Sequence, residues 1–266
     1  CLPGLKYLHE QARDLCTLAA VVSQPDRRQG RGKKLQQNSV AEFASSKGIP
    51  LLQPEKPNAA LADWLGAQKV ALAFVMAYGH FLPKAVREAP KHGMLNFHAS
   101  ILPAYRGASP VEAAIALGEA ETGVSLMQVV KEMDAGAVAD CKRVFIENVD
   151  TSPTVRSKVG QAVITLLERN LKASLLGALT LLPQNASLAT QCRKIRKEDG
   201  ALDFAQPAAS IDARLRAFTP WPGGYFDHGE TRIKVGKCSL TEPITSAQPG
   251  SVIVAGEILD VATGMG

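Results

Sequence analysis

No run of apolar residues approaches the ~18 needed to cross a bilayer, although 46% of the 266 residues are hydrophobic. The pattern excludes a membrane-spanning helix but allows a sizeable core, and at this length one large or two unequal domains are expected. Cysteine is sparse: Cys1, Cys16, Cys141, Cys192 and Cys238 form no C-x-x-C pair and have no histidines at zinc-ligand spacing. That usage fits a reducing cytosol. Neither G-x-x-x-x-G-K-[ST] nor G-x-G-x-x-G occurs, so phosphate-loop and dinucleotide-binding readings fail. Internal repeats and low-complexity tracts are absent, and no secretory signal is visible in a chain that starts at Cys1. Charge of one sign is lacking too. The net charge is +5, with 17 basic and 15 acidic residues up to position 150 and 13 and 10 beyond. Neither half is globally basic, so any case for nucleic acid rests on local clusters.

What is present is alternation. Apolar runs at Leu18–Val22, Lys69–Ala77, Met94–His98 and Val124–Val130 are separated by helical patterns near Ser39–Ser46 and Ser109–Leu117. This predicts an α/β fold on a parallel sheet. Ser39 and Glu42 have capping-box spacing, which starts a helix at Ser39. From Thr151 to about Leu176 the positions Val159, Val163, Leu166, Leu167, Leu171, Leu175 and Leu176 recur at helical period, with Pro153 suited to the first turn. Beyond a polar, Pro-containing stretch the pattern changes to short β-like runs, with a hairpin around Asp227–Glu230 and a strand at Ser251–Val254. The expected organisation is residues 1–177, a linker at 178–191, and a β-rich domain at 192–266.

The chemistry centres on Asn96-Phe97-His98-Ala99-Ser100-Ile101-Leu102-Pro103-Ala104-Tyr105-Arg106-Gly107. On a strand, the two-residue spacing puts Asn96 and His98 on one face, where an amide donor and a titratable imidazole can address one substrate atom. Acyl transfer to an amine needs such a pair, because a proton must leave the attacking nitrogen and an oxyanion must be stabilised. An isolated His on an apolar strand is ordinarily a hydrogen-bonded core residue. His9, His80, His92 and His228 keep that default or an exposed one.

These residues, with Thr122-Gly123-Val124 and Asp134-Ala135-Gly136 further on, resemble the ordered motifs of the folate-dependent formyltransferases. The resemblance implies a doubly wound, mostly parallel α/β sheet and a second, smaller β-barrel (OB-like) domain. It gives Asn96, His98 and Asp134 the catalytic roles. It gives Ser100, Ile101, Leu102 and Pro103, together with Tyr78 and Gly79, contacts to 10-formyltetrahydrofolate, the formyl donor, with no metal required. It also implies a chain truncated at both ends, with a gap or mispaired strands beside Leu18–Val22 and Met94–His98 and an unclosed C-terminal barrel.

The acceptor is addressed by Ser23–Lys34, which holds three arginines, two lysines and two glycines. A charge run is usually a solvated loop, yet a flexible cationic loop can follow a phosphate backbone. It resembles the insertion loop with which methionyl-tRNA-formylating members of that family grip the acceptor end of their tRNA. The resemblance implies tRNA contacts at Arg27, Arg31, Lys33 and Lys34, with the β-rich domain clasping the tRNA. Trp221, between prolines, is expected to pack rather than to stack on RNA. The expectation is a monomeric enzyme of a bacterial cytosol or organellar matrix that formylates initiator methionyl-tRNA. A sugar-nucleotide N-formyltransferase would lack use for the cationic loop. A non-catalytic RNA-binding module would lack use for Asn96, His98 and Asp134.

Overall fold

The computed structural model describes residues 1–29, 34–241 and 246–264. Along the chain the elements are α1 (Leu2–Glu10), β1 (Val21–Val22), β2 (Arg27–Gln29), β3 (Lys34–Gln36), α2 (Ser39–Ser46), β4 (Leu51–Leu52), α3 (Ala59–Ala67), β5 (Ala73–Val75), α4 (Lys84–Glu88), β6 (Met94–His98) and β7 (Arg106–Gly107). There follow α5 (Pro110–Ala116), β8 (Glu121–Gln128), β9 (Val138–Phe145), α6 (Ser152–Leu175), β10 (Gln191–Cys192), α7 (Ala208–Phe218), β11 (Gly224–His228), β12 (Thr231–Val235), β13 (Val252–Ala255) and β14 (Leu259–Val261). They condense into two units. One comprises Cys1–Arg106, Gly123–Arg143 and Lys158–Thr190, the other Gly107–Thr122, Val144–Ser157 and Gln191–Gly266.

The first unit is built on a four-stranded sheet of order β5-β6-β8-β9. Its strands are mixed in direction, which corrects the expectation of a mostly parallel sheet. β5 and β6 are parallel, with Val75 opposite Asn96, but β6 and β8 are antiparallel, with His98 opposite Ser125. β8 is buried almost throughout, from Thr122 to Met127. A continuous apolar run of this kind is the usual mark of a parallel core strand, yet periodicity carries no strand direction. β1 and β4 form a separate parallel pair, Val21 opposite Leu51. An apolar cavity of about 570 Å³ lies against both Leu18–Val22 and the β6 residues Met94 and Phe97, and Val163, Leu167 and Leu171 of α6 also line it. Close-packed interiors hold few such voids.

α6 covers the predicted span. Val159, Val163, Leu166, Leu167 and Leu171 are buried as the period requires, whereas Leu176, just past its end, is exposed. α2 begins at Ser39, but its cap is Asn38. The Asn38 side-chain oxygen accepts from the amides of Val40 and Ala41, both at 3.1 Å. One carboxamide in extended backbone satisfies two free donors of the first turn, so the Ser39–Glu42 box is not needed. Replacing Asn38 with Ala is expected to cost about 1 kcal/mol of stability, read from the midpoint of urea unfolding. Ser39→Ala should leave that midpoint nearly unchanged.

In the second unit α5 packs on α7. α7 is an 11-residue helix where only strands were expected, and it buries Ile211, Leu215 and Phe218. Pro207 caps it, and the Asp212–Arg216 pair, 2.7 Å apart, braces one turn. The hairpin around Gly229 forms as expected, as the antiparallel pair β11–β12. β13 and β14 make a second, separate hairpin. Among the described residues these strands close no barrel. Trp221 is 54% exposed, so it does not pack as expected. No helix among the described residues is long and apolar enough to cross a membrane.

Candidate active site

β6 delivers Asn96 and His98 to one face at the end of the central strand. His98 is buried, and both its ring nitrogens face acceptors. Nε2 lies 2.8 Å from the Tyr105 carbonyl oxygen, and Nδ1 lies 3.6 Å from the Asp134 carboxylate. A carbonyl can only accept, so Nε2 carries a hydrogen and donates it to Tyr105. The 3.6 Å separation between Nδ1 and Asp134 is beyond a formed hydrogen bond. His98 and Asp134 are thus side by side, and Asn96 lies two residues before His98 on the same strand.

The turn that follows β6 is pinned from within. Ser100 is fully buried and its hydroxyl donates to the Ala104 carbonyl at 2.6 Å, so its side chain shapes the turn and is not offered to a ligand. Ser125, opposite His98 on β8, donates to the Ser100 carbonyl at 2.8 Å and accepts from the Leu102 amide at 3.0 Å. The sequence offered one sign of Ser125: a polar residue inside the buried run of β8. Ile101, Leu102 and Pro103 remain partly exposed at the surface of the turn. Tyr105, at φ 58°, and Asp134, at φ 50°, both sit in the left-handed region that L-residues avoid. Strain of this kind gathers at functional sites.

A second loop contributes Tyr78 and Gly79. Ala77 (φ 50°) and Gly79 (φ 77°) turn the backbone sharply, and the Gln24 side-chain amide donates to the Tyr78 carbonyl at 2.7 Å. A cavity of about 400 Å³ lies here, lined by Gln24, Pro25, Arg27, Gln36, Asn38, Ala77, Tyr78 and Gly79. Among the described residues the Tyr78 hydroxyl and the His80 Nε2 are buried without a hydrogen-bond partner, their rings 5.5 Å apart. Burial pushes the Tyr78 phenol above its usual range. Arg27, at the start of the β2–β3 hairpin, donates to Gln24 at 3.2 Å, and Lys34 begins the exposed strand β3. Arg31 and Lys33 lie outside the described residues. Among the described residues no group of three or more His, Cys, Asp or Glu could hold a metal ion.

Comparison with known proteins adds names to this geometry. Residues 5–171 match the family model "Formyl transferase", and residues 194–266 match "Formyl transferase, C-terminal domain". The chain is 38% identical to a methionyl-tRNA formyltransferase of Marinobacter nauticus over 256 residues, covering 94% of this chain and 81% of that one. It is 39% identical to one of Myxococcus xanthus, with 95% and 81% covered. Among solved structures, an N-formyltransferase of Helicobacter canadensis in complex with folinic acid and dTDP-3-aminofucose matches with a TM-score of 0.72 at 18% identity, over 98% of this chain and 92% of that one. A 4-N formyltransferase of Francisella tularensis matches with a TM-score of 0.64 at 18% identity, over 80% and 90%. With both family models matched in order along the chain, and with His98 and Asp134 side by side at the end of β6, the chain belongs to the formyl transferase family.

Proposed function

We propose that this protein moves the formyl group of 10-formyltetrahydrofolate to the α-amine of methionyl-initiator tRNA, giving N-formylmethionyl-tRNA for translation initiation. The observation that carries the chemistry is His98, bracketed by the Tyr105 carbonyl and the Asp134 carboxylate with Asn96 on the same strand face. The donor is a substrate that enters and leaves. In the transfer the amine attacks the formyl carbon, its proton passes to His98, and the C–N10 bond breaks as that proton is delivered to N10. The Asn96 amide stabilises the oxyanion formed on attack, and Asp134 orients His98 and offsets its charge while it holds the proton. Ile101, Leu102 and Pro103, with the Tyr78–Gly79 backbone, hold the folate. Ser100 supports that segment from beneath.

Identity near 38% to relatives named methionyl-tRNA formyltransferase supports the tRNA acceptor over a sugar nucleotide, as does the cationic Arg27–Lys34 segment. In this proposal residues 1–177 carry the chemistry, 192–266 form a tRNA-binding domain of OB-like kind, and 178–191 join them in a cytosolic, monomeric enzyme. The test offers 10-formyltetrahydrofolate with methionyl-tRNA or with a sugar-nucleotide amine. Formylation of methionyl-tRNA alone is expected; transfer to the sugar alone, or tRNA binding without transfer, would overturn the proposal.

The loop makes its own prediction. Arg31→Ala should raise KM for methionyl-tRNA while the donor Kd stays the same, since the contact is to the acceptor's phosphates. The effect should shrink as salt rises, because phosphate contacts release counterions. Parallel loss of donor affinity would show that Arg31 acts elsewhere.

A further inference from the structure

We propose that Gln184 is a positioning residue for the transfer, holding in one frame the two groups that bracket His98; the inference rests on the roles given above to His98 and Asp134. Gln184 lies in the stretch 178–191, which the sequence presents as a connection. Its side-chain oxygen accepts from Arg106 Nε at 3.0 Å and from Arg106 Nη2 at 2.7 Å. Its amide nitrogen donates to the carbonyl oxygens of Asp134 at 2.8 Å and of Gly136 at 2.7 Å. A guanidinium only donates and a carbonyl only accepts, so this amide fits one way round.

The two ends of that bridge are the two supports of one imidazole. Arg106 follows Tyr105, whose carbonyl accepts from His98 Nε2, and Asp134 faces His98 Nδ1. Both Tyr105 and Asp134 are in the left-handed region, and such residues stay there only where their surroundings fix them. Gln184 binds the carbonyl of Asp134 itself. Thr190, further along the same stretch, fastens the other support: its hydroxyl accepts from the Tyr105 amide at 2.8 Å and its carbonyl from the Arg106 amide at 2.9 Å. Loss of the Gln184 bridge removes the hydrogen bonds to the Asp134 and Gly136 carbonyls and so loosens the placement of the carboxylate beside His98, while no group that holds either substrate is removed.

The test replaces Gln184 with Met, which keeps length and bulk but makes none of the four hydrogen bonds, and with Glu, which can still accept from Arg106 but cannot donate to the two carbonyls. Both variants are expected to lower kcat roughly 10- to 100-fold, with KM for donor and for methionyl-tRNA within about twofold of wild type. In an Asp134→Ala background the further loss from Gln184→Met should fall below about twofold, because the group it positions is gone. Equal losses in both backgrounds, a rise in KM alone, or unchanged kcat in a folded variant would each overturn the inference. Should Gln184→Met fail to fold, Gln184→Glu is carried through the same comparison. If Asp134→Ala itself leaves kcat unchanged, the reading of the site falls first, and that outcome is distinct from the others.

Discussion

Replacing His98 with Ala is expected to lower kcat for formyl transfer ~10²–10⁴-fold, the range over which a positioned general base or acid contributes, while the donor Kd changes little. The loss falls on kcat because the imidazole acts on a proton in flight. Folate contact is assigned to the 101–103 turn and to the Tyr78–Gly79 loop. His98 is buried and donates to the Tyr105 carbonyl, so the Ala variant also strands an acceptor, at about 1–3 kcal/mol. A lower melting temperature is therefore expected alongside lower turnover, and the two effects must be separated. His98→Gln does so: its amide can still donate to Tyr105 but cannot take up a proton. It should recover much of the melting temperature and little of the turnover. Turnover that recovers together with stability would mean that His98 is a packing residue.

Gly136→Ala is expected to cost almost as much, for a reason that lies in the backbone. A Cβ at this position would overlap the Gln128 carbonyl oxygen at the end of β8. Backbone cannot yield as a flexible side chain can, so the 134–136 loop must back away from the strand. Its retreat pulls the Asp134 and Gly136 carbonyls off Gln184 and the carboxylate off His98. Misplacement of a catalytic group by ~1 Å can cost ~10²-fold in rate, and forced overpacking typically costs about 1–3 kcal/mol. Steady-state kinetics with a parallel thermal melt would read both. A Gly136→Ala enzyme with wild-type kcat would mean that the loop holds Asp134 by other means.

The sequence carried the strand-borne part of the site. Asn96 and His98 are legible because a two-residue spacing on an extended segment fixes a shared face, and β6 ends at His98 as its apolar pattern predicts. Asp134 was legible only through its motif, since spacing alone does not distinguish it from a turn-forming Asp. Gln184 was not legible. Its partners lie 48 to 78 residues away, and hydrogen bonds from one side chain to distant backbone leave no periodic trace. For α2 the error was one residue: Ser39 and Asn38 are both good caps, and extended backbone at Asn38 decided between them. The direction of β8 and the helix α7 were lost for different reasons. Burial on both faces hides whether a strand runs parallel or antiparallel. In the Pro207–Phe218 segment, short-range turn residues masked a helix that is stabilised by packing on α5.

The most direct test is single-turnover formylation of methionyl-tRNA from saturating 10-formyltetrahydrofolate by the wild-type chain and by His98→Gln, with donor binding and folding measured on the same samples. The proposed mechanism predicts rapid transfer by the wild type, and at least ~10²-fold slower transfer by a folded variant that still binds the donor. Equal rates for the two proteins at equal donor occupancy would contradict it.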